Sequence, residues 1–374
     1  MIATAFRYFR KLAVIVMMAS TWVFPGLARA QSPELSMREF SSGQIKKGVR
    51  SIGFGGDGAT WGNYSLVYKD ADTALFDYGD TRYTNGNDFH FQAVGLTTPT
   101  LWHGLAVYAI AMFQNTNDVH FNGKSQGLGP TPVPLVGKGS DSAIFIKAAM
   151  PLGKGFSFGG LLSHETSRFD AAPSTGTTQQ TVHYQTEWRP SGGFGVTWQQ
   201  PRKKMLFGFR ALLNNDQEKR TDPVGTVEGG VHSKEFRLGA SYLPWQGAVV
   251  DVGGTRLERR NDLAGTSTLV YHPNLGFEQA LLESRLTLRF GVDETSPTAG
   301  FSWKFSRFKL DSAYVGNMAR SRVGNLFGTR SNSILFTFTV DYGRAKNALQ
   351  PPRQPDSPHS ANTPTPASSH LEGL

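Results

Sequence analysis

The chain has 374 residues, of which 42 are Gly, 26 are Phe and none is Cys, and its formal charge is +9. Without Cys there is no disulfide framework, no thiol nucleophile and no Cys-bound zinc or iron–sulfur centre. A charged fraction of 18% and a mean hydropathy of −0.31 argue against a helical membrane protein, a coiled coil and a wholly disordered chain.

The first thirty residues read as an address. Arg7, Arg10 and Lys11 precede an apolar run from Leu12 to Phe24. A helix needs about twenty residues to span a bilayer, and this run is too short. Ala28-Arg29-Ala30 supplies a small-x-small cleavage pattern, so residues 1–30 are expected to be a signal peptide cut before Gln31. Its loss removes four basic residues and leaves a mild +5, from which no nucleic-acid partner is expected.

Residues 31–62 fit no membrane strand. Their centre, Gly48-Val49-Arg50-Ser51-Ile52-Gly53-Phe54-Gly55-Gly56-Asp57-Gly58, matches G-x-G-x-x-G. No βαβ pattern surrounds it, so nucleotide binding is not expected. Gly permits close backbone approach, and a hatch packed inside a lumen accounts for the composition. Arg50, Gly53, Phe54, Gly55, Gly56 and Trp61 are its candidate hatch or ligand-binding residues.

From residue 63 to 342 the pattern has period two. Val182, Tyr184, Thr186 and Trp188 alternate with His183, Gln185, Glu187 and Arg189; Phe236, Leu238, Ala240 and Tyr242 alternate with Glu235, Arg237, Gly239 and Ser241. Leu286, Leu288, Phe290 and Val292 share one face, as do Ile334, Phe336, Phe338, Val340 and Tyr342. Segments of about ten to fifteen residues suit tilted strands crossing hydrocarbon, with the apolar face to lipid and the polar face to a lumen. An ascending strand is expected near Tyr64–Tyr78. Short connections fall at Thr98–Gly104, Pro151–Gly155, Gln200–Lys204, Pro244–Gly247, Glu283–Arg285 and Ser306–Arg307. Long polar loops are expected at Asn115–Ser140, Phe169–Thr181, Asn214–His232 and Val315–Arg330. Short turns face the periplasm and long loops the outside, and the count comes to roughly fourteen strands. Trp102, Trp198, Trp245, Trp303 and Phe305 lie beside the short turns, where an interfacial aromatic belt belongs. Residues 343–374 are rich in Pro, Ser and Thr and read as a disordered periplasmic tail.

Two fragments of catalytic motifs occur. Gly123-Lys124-Ser125-Gln126-Gly127 fits G-x-S-x-G, but no helix pattern follows it. His164-Glu165 lacks the second His of a zinc helix. No enzyme, cofactor or metal is expected. The remaining chemistry is the charge on the polar faces. Arg210, Glu235, Arg237, Asp251 and Arg289 are expected to line the lumen, either paired across strands or as a selectivity lining.

The run Gly48–Gly56 resembles the hatch of the FadL-like outer-membrane transporters, the long-chain fatty-acid transporter superfamily. Gly276-Phe277-Glu278-Gln279-Ala280-Leu281, Leu286–Val292, Thr298–Ser302 and Leu310–Tyr314 resemble its last strands. The resemblance implies a fourteen-stranded barrel with a lumenal hatch in the outer membrane, and passive uptake of a hydrophobic small molecule. Where the family often has Asn-Pro-Ala, this chain has Ala74-Leu75-Phe76-Asp77-Tyr78. The superfamily also holds barrels that serve secretion, so an anchor that meets envelope proteins through loops or tail stands as an alternative, and a general polar porin as a second. Expected partners are outer-membrane lipid and the apolar cargo.

Overall fold

The computed structural model describes residues 59–60, 63–66, 73–83, 88–98, 104–116, 118–125, 129–174, 181–187, 191–200, 204–222, 224–262, 265–293, 296–316 and 331–342. The expected signal peptide, the tail and the glycine-rich centre at 48–58 lie outside the described residues.

The first strands are β1 (Thr73–Tyr83), β2 (Asp88–Thr97), β3 (Ala106–Thr116), β4 (Val119–Ser125), β5 (Gly129–Gly153) and β6 (Phe156–Pro173). There follow β7 (Val182–Glu187), β8 (Ser191–Gln199), β9 (Met205–Asp222), β10 (Gly225–Tyr242) and β11 (Ala248–Asn261). The last are β12 (Thr266–Leu281), β13 (Leu286–Asp293), β14 (Ser296–Phe305), β15 (Phe308–Val315) and β16 (Ser331–Asp341). Every pairing is antiparallel. β3 and β4 are successive halves of one stave against β5, and β7 and β8 are halves of another between β6 and β9. The sixteen segments therefore make fourteen staves. β1 pairs with β16 from Thr73↔Asp341 to Tyr83↔Ser331, and β5 pairs with β6, so the sheet closes on itself. Closure matters because a strand edge left in hydrocarbon would carry unsatisfied N–H and C=O groups.

The wall is inside-out relative to a soluble domain. Phe76, Val94, Phe113, Ile144, Leu162, Leu238, Phe290, Phe301 and Phe338 are exposed, while Asp77, Asp141, Arg210, Arg237, Asp251, Glu278, Arg289 and Asp311 are buried. In a closed wall the buried face is the inside. This is the arrangement of a transmembrane barrel. The band has an edge that β9 and β10 mark together. The outward face of β9 runs Phe207, Phe209, Ala211, Leu213 and then Asn215, Gln217, Lys219. On β10, Lys234 lies opposite Leu213 and Phe236 opposite Ala211, so both strands turn polar at one level.

The six short connections fall where one strand gives way to the next. Gly155 shows why that turn needs glycine: its φ is +84°, and a Cβ there would sit 2.1 Å from the Gln199 carbonyl oxygen. The short-turn end carries the aromatic girdle. Trp198 stacks on Phe207 at 5.6 Å, Trp303 on Phe305 at 5.6 Å, and the exposed Trp245 indole donates to Gln279 Oε1 at 2.8 Å. Trp102 lies outside the described residues.

Four expectations need correction. Asn214–His232 is largely ladder, since β9 and β10 pair without interruption to Asp222↔Gly225. Much of Asn115–Ser140 is likewise ladder, between β4 and β5. Above the apolar band both faces are polar, and the period-two apolar signal vanishes although the hydrogen bonds continue. β7 has the opposite phase to that expected: Val182, Tyr184 and Thr186 are buried and His183 and Gln185 exposed. It pairs with β9 at 217–221, above the band, where water and not lipid lies outside. Finally, the first strand begins at Thr73, and Tyr64–Leu66 form a short 3₁₀ turn.

Candidate functional site

The lumen holds a piece of its own chain. Ala59, Thr60 and Asn63 to Leu66 are all buried, and their partners are wall residues of β6, β8, β9, β10 and β11. Thr60 Oγ1 donates to Asp251 Oδ1 at 2.6 Å, and Ser241 Oγ donates to the same oxygen. Asn63 Nδ2 reaches the Ala59, Phe209 and Val196 carbonyls at 2.7, 2.9 and 3.3 Å. Asn63 Oδ1 accepts from the Ser65 amide at 3.0 Å, and Ser65 Oγ lies 2.9 Å from Thr197 Oγ1.

The wall is cut to receive this segment. A Cβ added at Gly208 would lie 1.8 Å from the Ala59 carbonyl oxygen, at Gly195 2.0 Å from Asn63 Oδ1, and at Gly159 2.6 Å from the Tyr64 backbone. At Gly193 it would lie 3.2 Å from Tyr64 Cε2, and at Gly239 3.2 Å from Ala59 Cβ. These five inward positions on four neighbouring strands form one groove without side chains. Glycine's missing Cβ is what lets two backbones approach this closely.

Tyr64 joins a charged and an apolar surface. The Arg210 guanidinium lies 4.8 Å from its ring centroid and Lys147 Nζ 5.8 Å, a double cation–π contact. Burial pushes the Tyr64 phenol above its ordinary range against the pull of Arg210, and its Oη has no hydrogen-bond partner. Against the ring packs an apolar patch of Ala93, Met112, Ala143, Phe145, Leu161 and Leu212, all buried. An apolar patch facing inward is unexpected in a wall whose inner face is otherwise polar.

The inner wall also carries two ion networks, one beside Tyr64 and one on β12 to β15. Glu235 Oε1 accepts from Arg237 Nε at 2.6 Å and from Arg210 Nη2 at 3.4 Å. Arg289 spans three strands, giving Nε to Glu278 at 2.7 Å, Nη1 to Asp311 at 3.1 Å and Nη2 to Ser302 Oγ; Lys309 adds a bond to Asp311 at 2.6 Å. Buried charges are tolerated where partners compensate lost hydration, and here each arginine has one.

Of the residues singled out in the sequence, Arg210, Glu235, Arg237 and Asp251 come together around residues 59–66, and Arg289 sits in the second network. Arg50, Gly53, Phe54, Gly55, Gly56 and Trp61 lie outside the described residues. Sequence reasoning missed Thr60, Asn63, Tyr64 and Ser65, and it gave no role to the groove glycines. Their signal was the recurrence of Gly on the polar faces of β6, β8, β9 and β10.

The closed fourteen-stave wall, apolar outside and charged within, defines a transmembrane β-barrel. The chain matches no protein-family model and no curated protein. Among solved structures it is similar to a deltaS2S3 mutant of the monoaromatic hydrocarbon channel TodX, with TM-score 0.52 and 10% identity over 79% of this chain and 99% of that one. The CymD monoaromatic hydrocarbon channel aligns with TM-score 0.51 and 13% identity over 79% and 97%. A Pseudomonas aeruginosa FadL homologue aligns with TM-score 0.44 and 9% identity over 72% and 89%. At these identities the first two likenesses establish a shared fold.

Proposed function

We propose that this chain is an outer-membrane channel for passive entry of hydrophobic small molecules. Residues 1–30 serve as its export signal, 31–62 as a hatch and 343–374 as a periplasmic tail. The observation that carries the reading is the inward apolar patch of Met112, Phe145, Leu161 and Leu212 beside the docked Tyr64. An apolar solute gains little from a polar lumen wall; a patch next to a docked segment gives it an apolar foothold. The likeness in fold to two monoaromatic hydrocarbon channels supports the same reading. No energy source is required, since the cargo moves down its own gradient.

The test is uptake of labelled toluene by intact cells, taken as the excess over cells without the protein. Leu161→Asn together with Leu212→Asn should lower that excess at least about fourfold, the equivalent of roughly one buried methylene-sized contact. Unchanged uptake at equal levels of folded barrel would refute the reading.

A further inference from the structure

Among the buried neutral side chains of the described lumen wall whose polar atoms make no hydrogen bond, two lie close together on β12 and β14. Asn274 on β12 is 6% exposed, and neither Nδ2 nor Oδ1 makes a hydrogen bond; Thr298 on β14 is 5% exposed, and its Oγ1 makes none. Buried polar atoms in native proteins almost always have partners, and a buried amide with both ends unused is costly. Both residues belong to the inward face. Glu278, Gly276 and Asn274 follow one another along that face of β12, and Ser302, Gly300 and Thr298 along that of β14. The register places Gly276 opposite Gly291, and Gly291 opposite Thr298. Between the two orphaned groups β13 presents Gly291, opposite Thr298, and Asp293, opposite Asn274. Their Cα atoms are two strand spacings and one two-residue step apart, roughly 12 Å. Once the two side chains have reached inward, a ring-sized molecule lying on Gly291 bridges that gap.

Charge narrows the occupant. Among the described residues the buried set contains eight carboxylates and four guanidinium groups, and no buried lysine. Arg289, which is nearest to this floor, already gives its donors to Glu278, Asp311 and Ser302. A carboxylate entering here meets net negative charge and an arginine with its own partners, and it would lose its hydration without a counter-ion. A neutral hydroxyl or carbonyl meets an amide and a hydroxyl that lack bonds.

We propose that Asn274 and Thr298 form a recognition station for an uncharged hydrogen-bonding group on an otherwise apolar cargo, so that the channel's substrates are neutral alcohols, phenols or carbonyl compounds and not carboxylates. The proposal rests on the transport reading above and specifies its substrate class. Asn274 serves as donor and acceptor, and Thr298 as either.

The experiment compares protein-dependent uptake of toluene, benzyl alcohol and benzoate by intact cells, with folded barrel checked by its heat-modifiable gel mobility. The expected result is benzyl alcohol entering at least about tenfold faster than benzoate. Asn274→Leu should slow benzyl alcohol about three- to tenfold, the value of a neutral hydrogen bond, and leave toluene unchanged. Thr298→Val, nearly isosteric, should shift the same ratio in the same direction and supplies the test where Asn274→Leu does not fold. An unchanged benzyl alcohol to toluene ratio in the folded variants overturns the proposal, as does benzoate entry at the rate of benzyl alcohol. Absence of protein-dependent toluene entry in the unaltered protein would instead overturn the transport reading, and the station with it.

Discussion

Gly208→Ala should release residues 59–66 from the wall without harming the barrel. The added methyl would lie 1.8 Å from the Ala59 carbonyl oxygen and 2.6 Å from its carbon. Both are backbone atoms, so the segment must move by well over an ångström. Gly208 does not use a left-handed φ, and its Cβ points inward, so β9 itself accepts alanine. The displaced segment loses the Thr60–Asp251 bond, a charge-assisted one, and the Asn63 bond to the Phe209 carbonyl. Together these are worth about 2–4 kcal/mol, or roughly 30- to 700-fold in the ratio of seated to unseated chain. The absence of Cys gives a clean assay. Ala59→Cys with Gly239→Cys places two Cβ atoms about as close as a disulfide requires, given the 3.2 Å separation of Ala59 Cβ from the position of a Cβ at 239. Disulfide formation should be fast in this background and at least tenfold slower after Gly208→Ala. Gly254→Ala is the control, because its added Cβ would have only an ordinary 3.7 Å contact. Equal rates with and without Gly208→Ala, in barrels of normal mobility, would refute the keyed-groove argument.

Other substitutions separate the remaining contacts. Tyr64→Phe should leave docking unchanged, because the phenol oxygen has no partner, whereas Tyr64→Leu should weaken it by about 1–2 kcal/mol through loss of the cation–π contact; the same disulfide rate reports both. Arg289→Met removes the buried cation shared by Glu278 and Asp311 and leaves Lys309 as the cation on Asp311, and should destabilise the folded barrel by about 3–5 kcal/mol in urea titrations in liposomes; a change under about 1 kcal/mol would contradict the network's role. Leu238→Arg, exposed in the apolar band, should cost about 2–4 kcal/mol in the bilayer, while His232→Arg, above the edge set by Lys234, should cost about 0–1.

Much of the wall was readable because membrane strands carry a double signal. Phe236, Leu238, Ala240 and Tyr242 alternate with Arg237, Gly239 and Ser241, and the turns at 151–155, 244–247 and 306–307 interrupt the alternation. The count of fourteen followed from those turns. The signal failed where the solvent changes. On β7, Val182 and Tyr184 face inward because water lies outside, and alternation alone cannot distinguish lipid from water. Arg210, Arg237, Asp251 and Arg289 could be found as charges in phase with a polar face. Their partners could not, because Asp251 meets Thr60 and Arg289 meets Asp311 across distances in sequence that only the folded wall brings together. The groove was hidden for a related reason. Glycine at 159, 193, 195, 208 and 239 reads locally as weak strand, and its meaning comes from Ala59–Leu66 lying against it.

The central claim is a barrel closed to ions and open to apolar solutes, and single-channel conductance of the refolded protein, with and without residues 31–62, tests it most directly. The account predicts negligible conductance for the intact chain and steady opening after the deletion. Steady conductance in the intact chain would contradict it and leave a polar porin.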